Sequence, residues 1–340
     1  METTYERFGV PGMSTAEVVR KAALVGAILV ALPYLISPLA ASQAVIFGIF
    51  ALGYNLLLGY GGEMSFGHAA YYGLGAYGAM LSFNHLHPNL YVALGVGVVL
   101  ATVGSVVLGA ISLRRRGVYF SMITLALAQM VYYIFRSWES LTGGSTGLGA
   151  LQIEGQIGPF DPTGSEMSFF IFCAATMVLT LIVLWRIVRS PFGRSLVAIR
   201  ENERRASHLG YNSYRLLFLG FVFSGAISGL AGALNAAVAL YITPNVLNWL
   251  VGGEVVMVTI LGGIGTLLGP VIGAVIFIGM SNELPSILSQ WQLIFGLTFV
   301  LVVLIAPSGV YGLYLDWRAE DREVFGDDQS VRDILDRLRP

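Results

Sequence analysis

The chain has 340 residues, of which 56% are apolar and only 11% charged, where a soluble domain carries about one quarter charged residues. That composition excludes a soluble globular protein, and a formal charge of −1 says nothing about partners. The single cysteine, Cys173, excludes an internal disulfide and a cysteine-built metal site, and reads as a small packed hydrophobe.

Residues 1–21 are mostly polar and read as a cytoplasmic N-terminal segment. Beyond them no Lys or Arg occurs from Ala22 to Leu113, and none again from Leu216 to Trp317. Stretches of this kind are membrane-embedded segments with short connectors. Runs apolar enough to be spans lie at 22–40, 42–60, 65–83, 91–111, 118–135, 168–185, 216–240, 249–262, 267–281 and 290–306. The first ends in PLAAS, which resembles a signal cleavage site, but its length and the apolar run behind it mark a retained span. The runs at 249–262 and 267–281 are short and flank Gly262, Gly263, Gly265, Gly269 and Pro270. They are either two tilted spans or one re-entrant element. The expected fold is an all-α integral membrane protein of eight to ten transmembrane helices over residues 22–310, with broken or re-entrant Gly-rich elements.

Between the second and third runs stands GYGGEMSFGH, residues 59–68. Gly59, Gly61 and Gly62 disfavour continued helix by about 1 kcal/mol each, and Ser65 is expected to N-cap the next helix. Irregular backbone at membrane depth is tolerated only where protein or a water-filled cavity covers it, and an exposed helix N-terminus favours a carboxylate. Gly262–Gly263 with Gly269 repeats the theme, with Thr266 as the cap, which suggests two related halves. On this reading Asn55, Gly62, Glu63, Ser65, Gly67, His68, Glu254, Gly263 and Thr266 line a substrate path. A competing reading assigns the glycines to close helix packing and Asn55 to interhelical hydrogen bonding. Glu63, Glu254 and Glu283, if buried at a span's centre, carry the cost of ionisable groups in a membrane, about 2.5–3.5 kcal/mol each; placed near span ends they carry less.

Arg114–Arg116 and the 186–215 segment hold most of the mid-chain cations and are expected in the cytoplasm. The 136–167 segment has one Arg against Glu139, Glu154, Asp161 and Glu166, and is expected outside. In RIVRSPFGRSLVAIRENERRASHLGYNSYR, Pro191 ends the preceding span. A two-faced helix then runs from Arg194 to Leu209: Leu196 and Ile199 share a face, Glu201 precedes Arg205 by four, and Gly210 stops it. Such a helix either docks a cytoplasmic protein or is a plain loop whose arginines fix topology. Residues 311–340 form a charged, cytoplasmic tail.

No enzymatic motif appears. The one lysine, Lys21, follows no glycine-rich loop, so there is no Walker A, and no HExxH offers a zinc site. GEMSFG departs from the G-x-S-x-G elbow because Glu63 stands where the first glycine belongs. No cofactor and no metal are expected. A multi-span protein without a motor of its own is a secondary transporter, a channel or a permease driven by a partner's ATPase.

GYNLLLGYGGEMSFGHAAYYGLGAY, RRRGVYFSMITLALAQM, SLTGGSTGL, SPFGRSLVAIRENERRASHLGYN, SGLAGAL and GGIGTLLGPVIGA resemble the membrane subunits of branched-chain amino-acid ABC importers. The similarity runs in order from about Ala51 to Gly309 and is greater to the longer M-type permease than to its H-type partner. The paired Gly-Gly motifs are also similar to those of ribose-type sugar permeases. The resemblance implies an ABC importer permease fold in a cell membrane, working by alternating access. It makes the 194–210 helix an ATPase-coupling element, carried by Arg194, Leu196, Ile199, Arg200, Glu201, Arg204, Arg205, Leu209 and Gly210. The implied partners are two cytoplasmic ATPases, an H-type permease and an extracytoplasmic binding protein that meets the 136–167 loop. The implied cargo is a branched-chain amino acid, urea or a short amide. A self-sufficient secondary transporter and an intramembrane enzyme are the alternatives.

Overall fold

Apolar helices joined by short polar connectors account for nearly all of the described chain. The structure, a computed structural model, describes residues 31–150, 153–155, 161–286, 290–306 and 308–313, with Gly26 and Leu29 besides. The expected N-terminal segment 1–21, residues 22–25, 27, 28 and 30 of the run at 22–40, and the tail beyond residue 313 lie outside the described residues.

Helix α1, Pro38–Asn55, opens on Pro38 at its first position, with the Ser37 hydroxyl accepting from the Ala40 amide at 3.3 Å. It widens into a π-helical turn at Leu56–Gly61, where Gly62, at φ 76°, ends it in the left-handed region. The apolar window of α1 and this turn is wholly buried, so α1 is the axis of the bundle. Around it run α2 (His68–His85), α3 (Leu90–Ser112), α4 (Val118–Ser137), the short α5 (Glu139–Thr142) and α6 (Glu166–Arg189). The surface helices α7 (Pro191–Glu201) and α8 (Glu203–His208) follow, then α9 (Ser213–Ala239), α10 (Trp249–Gly262), α11 (Gly269–Glu283) and α12 (Trp291–Ile305). The all-α expectation stands. The one sheet among the described residues is the pair β1 (Leu148–Gly149) and β2 (Tyr241–Ile242), antiparallel.

Two corrections concern helix ends. Pro191 begins α7 rather than merely ending the span before it. Ser190 caps that helix by accepting from the Gly193 amide at 3.3 Å, and proline at the first helical position forfeits no hydrogen bond. The single surface helix expected from Arg194 to Leu209 is two helices broken at Asn202, whose side chain caps α8 by accepting from the Arg205 amide at 2.9 Å. Glu201 and Arg205 therefore sit on different helices. Gly210, at φ 90°, does close α8 as expected.

Close helix approach explains several glycines directly. A Cβ on Gly75 would strike the Gly229 backbone, one on Gly232 the Tyr72 carbonyl, and one on Gly78 would lie 2.9 Å from Gly97 Cα. These contacts make a seam of α2, α3 and α9, in keeping with small residues letting helices meet. Helices α10 and α11, at 14 and 15 residues, are about 21–23 Å long at 1.5 Å per residue, short of a hydrocarbon core of about 30 Å. They fold back on one another, with Gly262 against the Gly269 carbonyl and Gly273 against that of Val258.

The connectors gather at two ends. At one, Asn84 donates to the Gly149 carbonyl (2.9 Å), Leu90 N to that of Glu154 (2.8 Å), and β1 pairs with β2. At the other, Glu63, Arg116 and Glu203 meet. The acidic and the arginine-rich connectors are thus segregated to opposite ends.

A candidate coupling site at the glycine break

The break between α1 and α2 lies at the arginine-rich end. Its backbone is irregular from Gly62 to Gly67, and protein groups satisfy it. The Glu63 carboxylate accepts from the Gly117 amide (3.2 Å), Ser121 Oγ donates to the Met64 carbonyl (2.6 Å), and the Phe66 amide donates to Thr124 Oγ1 (3.2 Å). The first turns of α4 therefore grip the segment residue by residue. Gly67 is required because a Cβ there would lie 2.7 Å from the Thr124 carbonyl.

Ser65 does not cap α2, contrary to the sequence-based expectation. Its hydroxyl accepts from the Gly67 amide at 3.2 Å, a turn two residues long, and α2 starts at His68 without a side-chain cap. In the second break Thr266 Oγ1 accepts from the Gly269 amide (3.0 Å) and donates to the Gly263 carbonyl (2.8 Å). The hydroxyl-to-glycine pattern thus recurs in both breaks, one residue longer in the second. The breaks are tied together by Asn55, whose Nδ2 donates to the Thr266 carbonyl (2.8 Å) and whose Oδ1 accepts from the Gly265 amide (2.9 Å). Both ends of the Asn55 amide are thereby used between helices.

His68 is fully enclosed, with the rings of Tyr54, Tyr71 and Phe221 edge-on to it. Its Nε2 lies 2.7 Å from Ser224 Oγ, which donates its only proton to the Gly53 carbonyl at 2.6 Å. The imidazole must then be the donor from Nε2. In this conformation His68 is a packed core residue, and the expectation that it faces a cavity is corrected. Ser65 is likewise fully buried. Glu254 stands apart on α10, half-buried and near Tyr72. A cleft of about 540 Å³ at the acidic end is lined by Leu39, Ser42, Ser165, Glu166 and Phe169 among others; none of the expected path residues lines it.

The surface helices touch the break directly. Arg200, in the last turn of α7, donates from Nη1 to the Gly59 carbonyl, and its Cγ would lie 2.7 Å from a Cβ on Gly62. Arg116 Nε lies 3.7 Å from Glu63, and its Nη2 donates to Glu203 of α8 at 3.2 Å. Burial raises the Glu63 carboxyl above its ordinary range, while Arg116 and the Gly117 amide oppose that. Burial also lowers the Arg200 guanidinium. Leu196 and Ile199 are 1% and 4% exposed and pack inward, so they anchor α7 to the bundle instead of meeting a partner. Arg194, Glu201, Arg204, Arg205, Leu209 and Gly210 are exposed, with Leu209 at 74%, while Arg200 keeps an exposed surface and sends its guanidinium inward to the Gly59 carbonyl.

The family model for the branched-chain amino acid transport system permease component matches residues 39–306, nearly all of the described bundle. The chain belongs to this permease family. Among its relatives, the high-affinity branched-chain amino acid transport system permease protein LivM of Escherichia coli (strain K12) is 25% identical over 89% of this chain and 78% of its own. LivH of the same organism is 26% identical over 78% of this chain and 91% of its own, and BraD of Pseudomonas aeruginosa is 23% identical over the same shares. No solved structure matches the chain.

This permease is a LivM-like, multi-pass membrane protein. Among the described residues, six helical segments are long and apolar enough to cross a membrane. Sequence reasoning placed Glu63 and the arginine clusters but not their pairing. It missed Arg116, Gly117, Ser121, Thr124 and Glu203 as partners of the break. The available signal was a carboxylate beside a span, which calls for a cation or donors nearby.

Proposed function

We propose that this permease is the M-type membrane subunit of an ABC importer that carries leucine, isoleucine or valine into the cell. Two cytoplasmic ATPases drive it, an H-type permease pairs with it, and an extracytoplasmic binding protein delivers the cargo to the 136–167 side. The arginine-rich end faces the cytoplasm, where α7 and α8 receive the ATPases, and the chain itself performs no chemistry. The observation that carries this reading is the contact of an exposed, charged helix pair with the broken end of the bundle's axial helix: a motor that moves α7 and α8 moves the core of the permease. Arg194, Arg200, Glu201, Arg204, Arg205 and Leu209 form the motor-facing surface, with Leu196 and Ile199 as its anchor and Gly210 as the stop of α8 outside it. For the substrate path the candidate is Glu254, which has no ion-pair partner among the described residues and stands on a helix too short to span. Gly62, Gly263 and Thr266 shape the two breaks beneath it, and Asn55, Glu63, Ser65, Gly67 and His68 hold those breaks in place.

Affinity capture of the tagged chain from its native membranes tests this. The expected result is co-purification of nucleotide-hydrolysing subunits and a second permease, with labelled leucine uptake competed by valine and isoleucine but not by urea. A chain captured without any nucleotide-hydrolysing partner overturns the reading; competition by urea or short amides instead of valine overturns its cargo.

A further inference from the structure

We infer that Glu63, Arg116 and Glu203 form a charge clamp which, together with the Arg200–Gly59 hydrogen bond, transmits movement of the surface helices into the π-turn of α1. The inference rests on the importer reading and assigns a role to residues which that reading leaves unused.

Two arms cross from the surface to the break. The first leaves α7 at Arg200 and ends on the Gly59 carbonyl. Gly59 lies inside the π-turn, where the altered backbone register and the absence of a following helical residue free carbonyls for outside donors. The second leaves α8 at Glu203 and reaches Glu63 through Arg116 (3.2 and 3.7 Å). Arg116 directly precedes Gly117, whose amide donates to the second Glu63 oxygen at 3.2 Å. Glu63 is thus held from two adjacent residues at the head of α4. The arms start on opposite sides of Asn202, the point where the surface helix is broken. A tilt of α7 against α8 therefore loads the two arms differently and acts on both sides of Gly62.

The burial pattern suits transmission. Side-chain exposure falls from 43% at Glu203 through 28% at Arg116 to 10% at Glu63, so the clamp passes from solvent into the protein. Exposed ion pairs contribute little, whereas charge-assisted bonds gain strength as water is excluded. The outer contact is a hydrogen-bonded ion pair at 3.2 Å that follows α8, and the inner one is a charge contact at 3.7 Å whose attraction is less screened because Glu63 is buried. Arg116 is a positioning residue here, since it acts through Glu63 on the break.

The test uses the whole importer in proteoliposomes and reads leucine transported per ATP hydrolysed, which loss of structure alone does not change. ATP-driven uptake by the wild-type complex is established first; its absence refutes the importer reading itself. Glu203→Gln and Arg116→Gln are each expected to lower the ratio by about fivefold or more with assembly intact, the scale of an ordinary coupling free energy. Arg116→Gln combined with Glu203→Gln is expected to be no worse than Arg116→Gln alone, because both act in one linkage. An unchanged ratio in Glu203→Gln, which is half-exposed and safe for folding, overturns the clamp. So do losses in the two single variants that multiply in the double.

Discussion

Gly62→Ala perturbs the break without adding bulk beyond one methyl group. Gly62 sits at φ 76°, where an L-residue pays about 1–2 kcal/mol. The new Cβ would also lie 2.7 Å from Arg200 Cγ and 3.2 Å from its Cβ. Atoms that close to the backbone cannot swing aside as a side-chain tip does, so α7 must shift and the Arg200–Gly59 bond is lost. A hydrogen bond to a charged group contributes about 1.5–3 kcal/mol, which brings the whole perturbation to about 2.5–5 kcal/mol. Gly210→Ala is the matched control: its φ is 90°, yet nothing lies within 4 Å of the added Cβ. It carries the strain alone. Thermal unfolding in detergent and uptake per assembled complex are measured for both. Gly62→Ala is expected to be the less stable by about 1.5–3 kcal/mol and to lose uptake with ATPases still bound, while Gly210→Ala keeps uptake. Equal effects of the two substitutions would refute the assignment of Arg200 to the break.

Asn55→Leu leaves the buried Thr266 carbonyl and Gly265 amide without partners. It is expected to cost about 2–5 kcal/mol, read by thermal unfolding, and an unchanged melting temperature contradicts the bridging role. His68→Ala should lower stability by a few kcal/mol through loss of the Ser224 bond and ring packing, without altering the apparent KM for leucine in complexes that assemble; a KM shift at full stability would place His68 on the path instead. Glu254→Gln should lower uptake while leaving assembly and melting temperature unchanged, and normal uptake removes Glu254 from the path. Cysteines replacing the exposed Ser145 and Ser207 should react with a membrane-impermeant maleimide from opposite faces of oriented vesicles, Ser145 from outside. Labelling of both from one face contradicts the sidedness.

The spans were legible because hydrophobic runs and cation-free stretches are one-dimensional signals. Runs such as 91–111 and 168–185 match α3 and α6 within a few residues. The segregation of Arg116 from Glu154 to opposite ends was legible for the same reason. Helix ends were harder. A proline stops one helix and starts the next equally well, so Pro191 was read from one side only. Ser65 had the chemistry of a cap, but tertiary donors and acceptors from α4 drew the break into a tighter turn. The clamp was illegible in principle: Glu63 is separated from Glu203 by 140 positions, and no periodicity records a meeting of that kind. Burial likewise decided the surface helix. Leu196 and Ile199 formed the expected apolar stripe, and only the packed structure says that the stripe faces inward.

ATP dependence of leucine uptake is the most direct test of the central claim. The purified chain is placed in proteoliposomes alone, and in parallel with its co-purified ATPases, second permease and binding protein. The account predicts no uptake by the chain alone under any ion gradient, and uptake by the full assembly that stops when ATP is replaced by a non-hydrolysable analogue. Gradient-driven leucine uptake by the chain alone would contradict it and establish a self-sufficient secondary carrier.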